Sequence, residues 1–121
     1  MLKISDRSTP TCIVVEVEGA ISSAEYEAFA ERFEDAVKQY GTVSMVVDIK
    51  GPSSYADMDA LKDDWRFAFK DYHHARRAGW VGDNPVIEAL MLVWSPFTYV
   101  EEKFFRAGET DAAIDWACAT D

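Results

Sequence analysis

Apolar and polar positions change period several times along this chain, and each change marks an element. Leu2-Lys3-Ile4 alternates and predicts a short edge strand. Arg7-Ser8-Thr9-Pro10 has turn chemistry and reverses the chain. Thr11 to Glu18 predicts a strong strand, with Ile13, Val15 and Val17 on one face and Cys12, Val14, Glu16 and Glu18 on the other. A turn this short predicts that the two strands form a hairpin.

The period then becomes helical. Ser22-Ser23-Ala24-Glu25 is a capping box, in which the serine hydroxyl and the glutamate carboxylate each satisfy an amide the first turn leaves open. Tyr26, Phe29, Ala30, Phe33, Ala36, Val37 and Tyr40 follow at three-four spacing and form one apolar stripe. Glu27, Glu31, Glu34, Asp35 and Lys38 fall on the wet side, and Gly41 stops the helix. Val43 to Ile49 predicts a second strong strand. Asp48 at its end opens a predicted loop, Lys50-Gly51-Pro52-Ser53-Ser54-Tyr55.

A second helix is predicted from about Asp57 to His73, with Met58, Leu61, Trp65, Ala68, Phe69 and Tyr72 as its core stripe. Asp57 and Asp59 suit its positive start, and His73, His74 and Arg76 its negative end. Arg77 to Gly82 predicts a further strand. Asn84 and Pro85 then open a segment, Val86 to Trp94, that is apolar nearly all round; it predicts a buried helix, with a buried strand as the alternative. Ser95-Pro96 ends it. Glu101 to Phe105 predicts a last strand, and Thr110 caps a predicted closing helix that runs through Ala119, with Ile114 and Ala117 inward and Trp116 over an edge.

The predicted order is β-β-α-β-α-β-α-β-α, a single α/β domain over residues 1–121. Strands separated by such helices become parallel neighbours through right-handed crossovers, and the first strand pairs antiparallel at an edge. There is no internal repeat and no low-complexity linker.

This order resembles the SpoIIAA-like (STAS) fold, and more closely its uncharacterised SpoIIAA-like bacterial branch. Val81-Gly82-Asp83, Ser95-Pro96-Phe97-Thr98, Lys103-Phe104-Phe105 and Ala113-Ile114-Asp115-Trp116 carry the likeness. The capping box with Tyr26-Glu27 and the Leu61…Trp65-Arg66-Phe67 segment also fit. The resemblance implies a regulatory or binding module. In the antagonist branch a kinase partner phosphorylates a serine at the start of the second helix, after an Asp-Ser-Ser-Gly type motif. Here Ser53 and Ser54 stand near that place as candidate phosphoacceptors, without that signature. Kinship with the lipid-binding CRAL-TRIO fold implies the alternative of a carrier or sensor for a small apolar ligand.

Charge narrows the function classes. The 121 residues hold 22 acids and 12 bases, for a net charge of −10. That balance opposes binding to a phosphate backbone, which needs a concentrated basic surface, and docking on anionic lipid. The longest apolar run, Ala89 to Trp94, is too short to span a bilayer. Met1 to Asp6 reads as lacking a secretory signal, so the expected location is cytoplasmic and the two cysteines, Cys12 and Cys118, are expected as reduced, buried thiols, with a disulfide tying the ends as the lesser alternative.

The sequence offers three candidate surfaces. Ligands of open α/β sheets lie beyond the carboxyl ends of strands, which selects Asp48, Asp83 and Asn84, although Asp83 and Asn84 also suit a helix cap. Trp94 and Phe97 could line a pocket for an apolar ligand, or serve as core and dimer contact. On the 57–73 helix, Phe67 projects opposite the core stripe. Lys62, Arg66 and Lys70 flank it on one side, and Asp57, Asp64 and Asp71 on the other. An aromatic between opposite charge rows suits a protein contact, and a self-complementary arrangement suits a homodimer. His73 and His74 point about a hundred degrees apart on a helix and cannot chelate together. No nucleophile elbow, Walker loop, dinucleotide fingerprint or HExxH occurs, so no enzyme, cofactor or metal is expected.

Overall fold

The computed structural model describes residues 1–55, 74–83 and 100–119, with the side chains of 51–55 left aside. The predicted helix over 57–73 and the apolar segment over 84–97 lie outside the described residues.

The β-rich stretches assemble into one five-stranded sheet of β1 (Leu2–Ile4), β2 (Cys12–Ile21), β3 (Val43–Tyr55), β4 (Ala75–Val81) and β5 (Glu101–Phe105), in spatial order β1-β2-β3-β4-β5. β1 pairs antiparallel with β2, with Lys3 opposite Glu16, and every other pair is parallel. Two helices are described, α1 (Ser23–Tyr40) and α2 (Thr110–Ala117).

Period-two alternation divides β2 between two cores, as its sequence predicts. Ile13, Val15 and Val17 join Met45, Val47 and Ala78 under Phe29, Phe33 and Ala36 of α1. Cys12 and Val14 join Val46, Val81 and Phe105 on the other face, under Ala113 and Ala117 of α2. The small residues on α2 let it approach closely: a Cβ on Gly79 of β4 would stand 3.6 Å from the Ala113 Cβ. Phe33 is wholly buried, so truncating it removes an aromatic worth about 3–5 kcal/mol.

Local signals set the ends of α1. The Glu25 amide donates to the Ser22 hydroxyl at 3.2 Å, and the Ser22 amide donates to Glu25 Oε1 at 3.0 Å, completing the capping box. Glu25 Oε2 also accepts from the Leu2 amide at 2.7 Å, so one carboxylate ties the helix start to the edge strand. These backbone donors, that of Ser22 first and Leu2 next, hold the Glu25 carboxyl below its ordinary value. Gly41 ends the helix at φ +88°, donating its N–H to Val37 O. Tyr40, the last residue of the helix, departs from the predicted stripe and is exposed.

Four other expectations are corrected. Residues 51–55 form no loop: β3 continues to Tyr55, where Ser53, Ser54 and Tyr55 pair with Gly19, Ala20 and Ile21 of β2. Between Val17↔Ile49 and Gly19↔Ser53, Glu18 faces Lys50, Gly51 and Pro52, so the turn-forming residues make a bulge inside the ladder. Arg76 belongs to β4, not to the end of the preceding segment. Thr110 is the first residue of α2 rather than its cap; Glu109 occupies the cap position without a side-chain bond, and the helix stops at Ala117.

The fourth correction concerns the cysteines, which are joined. Cys12 and Cys118, 106 positions apart, form a disulfide with a Cα–Cα separation of 5.3 Å. The bond links the first residue of β2 to the residue after α2.

Candidate functional site

The parallel strands give the sheet two unlike ends. At the carboxyl end, Asp48 is 8% exposed and Glu16 is its register partner on β2. The Thr110 hydroxyl at the start of α2 donates to Asp48 Oδ2 at 3.0 Å, which pairs a buried charge with a donor. Lys50 reaches Glu16 Oε1 at 3.4 Å, a surface pair of small energetic weight. Asp83, just past β4, accepts the Ala107 amide at 3.1 Å and fixes the turn between β5 and α2.

Among the predicted ligand residues, the structure therefore gives Asp48 and Asp83 bonding roles of their own, in separate contacts. Asn84, Trp94 and Phe97 lie outside the described residues, as do Lys62, Asp64, Arg66, Phe67, Lys70 and Asp71. Ser53 and Ser54 are strand residues, paired with Gly19 and Ala20 on the β2 ladder. Among the described residues no group of three or more His, Cys, Asp or Glu is gathered for a metal ion. Among them, too, no helix is long and apolar enough to cross a membrane.

The amino end of the sheet holds a feature that sequence reasoning missed. Thr11, Thr42, Ser44 and Arg76 open β2, β3 and β4 there, and with Tyr40, Cys118 and Ala119 they line an open pocket of about 290 Å³. Arg76 is the one charged residue among the described residues of that lining. Its guanidinium donates to Ala119 O, while Arg77 Nη1 donates to Trp116 O at 2.9 Å and Arg77 Cζ lies 5.4 Å from the Trp116 ring centroid. α2 has no basic residue in its last turn, so β4 supplies the two cations that its negative end favours. The adjacent arginines at 76 and 77 were the visible signal. Their contact with a helix about forty positions later was not.

The SpoIIAA-like family profile matches residues 12–118. Among solved structures, the chain is similar to an uncharacterised DUF3478-family protein with a SpoIIAA-like fold from Shewanella loihica PV-4. The two share 24% identity over 97% of this chain and 93% of that one, with a TM-score of 0.68, a likeness of fold. No curated protein matches.

Proposed function

Because the chain belongs to the SpoIIAA-like family, we propose that it is a cytoplasmic, non-enzymatic STAS-type regulatory module that acts through protein contacts and pairs with a second copy of itself. The observation that carries this reading is the course of β3. Its last pair with β4 is Asp48↔Val81, yet it continues to Tyr55 along β2. The chain is thus delivered to the carboxyl end of the sheet, the end that open α/β sheets use for recognition.

The 57–73 segment begins two residues later, and its sequence carries the contact surface. Phe67 supplies apolar area, and the rows Lys62-Arg66-Lys70 and Asp57-Asp64-Asp71 fix register. Opposite rows on one face are self-complementary under a twofold axis. Of the net charge of −10, α1 carries five acids against two bases, and its Glu27, Glu31 and Asp35 are exposed, where they keep the chain solvated. The test is Phe67→Asp, expected to leave the fold intact and abolish self-association. A variant that associates as the wild type does removes the reading.

A further inference from the structure

Of the two described helices, α2 is the less self-sufficient. It has eight residues, short of the roughly 12–15 at which an isolated helix becomes even marginally stable. It buries fully only the methyls of Ala113 and Ala117, whereas α1 buries Phe29, Phe33 and Ala36. Its cap residue, Glu109, makes no side-chain cap bond, where α1 has a complete capping box.

The two ends of α2 are held in different ways. Its start follows from β5 through the turn 106–109, in which Gly108 stands at φ +90°. There the Arg106 amide donates to Glu109 Oε1 at 2.7 Å, the Ala107 amide donates to Asp83, and the Thr110 hydroxyl donates to Asp48. Its far end is held by the bonds from Arg77 to Trp116 O and from Arg76 to Ala119 O, by the Trp116 ring beside Phe105, and by the Cys12–Cys118 bond. Hydrogen bonds exchange for bonds to water with a modest net change, and only the covalent tie has no such exchange.

We propose that the Cys12–Cys118 bond is a redox-controlled clasp: a dithiol reductant opens it, and α2 then swings away from the sheet about the turn 106–109, uncovering the face of Val14, Val46, Val81 and Phe105. The docked arrangement stays the ground state of the reduced chain, and what rises is the population with α2 open. In the chemical step, one thiolate of the dithiol forms a bond to one clasp sulfur. The electron pair of the broken S–S bond leaves on the other sulfur, which takes up a proton. The second thiolate of the dithiol then displaces the first clasp sulfur, which is protonated in turn. The dithiol ends as a disulfide and the clasp as two thiols, with two electrons and two protons transferred. A reducing cytoplasm supplies dithiols and keeps such bonds transient, so the source of the reductant rests on the cytoplasmic reading above. The opening of α2 does not, and it is independent of the Phe67 face.

Amide hydrogen exchange tests the proposal, followed by NMR across a urea series in the oxidised full-length protein and in the protein reduced with dithiothreitol. In the oxidised protein, the amides of Ala113 to Cys118 are expected to share the slow rate and steep urea dependence of Phe29 to Ala36 in α1. In the reduced protein they are expected to exchange at least about tenfold faster than those of α1 and with little urea dependence, the mark of a local opening. A double variant, Cys12→Ala with Cys118→Ala, is expected to behave as the reduced protein without any reductant, and reoxidation of the wild type to restore the shared rate. Three results overturn the proposal. They are α2 amides that keep the rate and urea dependence of α1 after reduction, α2 amides that already open locally in the oxidised protein, and loss of protection throughout the chain on reduction, which makes the bond a staple of the whole fold and not a clasp on α2.

Discussion

Reducing the Cys12–Cys118 bond is the most informative perturbation of stability. The bond spans 106 positions of a 121-residue chain, so it constrains nearly the whole unfolded ensemble. The chain-entropy account assigns about 4.7 kcal/mol to a closed loop of roughly 100 residues. Native packing changes little by comparison, because Cys12 stays a small apolar group among Val14, Val46 and Ala117 after reduction. Domains of this size have a total stability of about 5–15 kcal/mol, so the clasp supplies a large fraction. At about 3–5 °C per kcal/mol for this length, the thermal midpoint falls by roughly 15–20 °C. The assay is urea and thermal unfolding with and without a phosphine reductant, alongside a count of reactive thiols in the native state. The expected count is zero before reduction and two after it. The urea slope is expected to rise as the unfolded chain loses its cross-link and exposes more surface. Two reactive thiols in the untreated folded protein, or a midpoint indifferent to reduction, refute the reasoning.

Two further predictions concern buried and capping carboxylates. Glu25 has its pKa lowered in the fold by the Ser22 and Leu2 amides, so its contribution is present above the unfolded carboxylate value and is lost as pH falls through the folded one. Glu25→Gln is expected to cost about 1 kcal/mol at neutral pH, in line with a lost cap, and to flatten the acid limb of a stability–pH curve measured by urea unfolding. Thr110→Val removes the hydroxyl that donates to the buried Asp48 carboxylate and is expected to cost about 1.5–3 kcal/mol in the same assay, with Thr110→Ser close to wild type.

Much of the fold was legible because it depends on short-range pattern. The alternation in β2 assigned its residues to two cores, and Ser22 with Glu25 marked the start of α1, since each signal involves neighbours in sequence. What was not legible depends on partners far along the chain. Gly51-Pro52-Ser53-Ser54 has turn composition, but the end of β2 offers it a ladder, and pairing overrides local preference there. Thr110 looked like a cap until Asp48, 62 positions earlier, proved to accept its hydroxyl bond. The cysteines each read as buried hydrophobes, and only the docking of α2 over β4 and β3 brings them within bonding distance. The candidate site divides in the same way. Asp48 and Asp83 were found from the strand-end rule, whereas the pocket at the opposite end needs three strand starts and the end of a helix to meet.

The central claim is that the chain acts through contacts made by the face of the 57–73 segment around Phe67. Sedimentation velocity over a concentration series tests it most directly, comparing wild type with Phe67→Asp of matched circular dichroism and thermal midpoint. The account predicts a wild-type boundary that moves to dimer mass as concentration rises, and a variant that stays at the 13.6 kDa monomer. Superimposable distributions for the two proteins at every concentration contradict it.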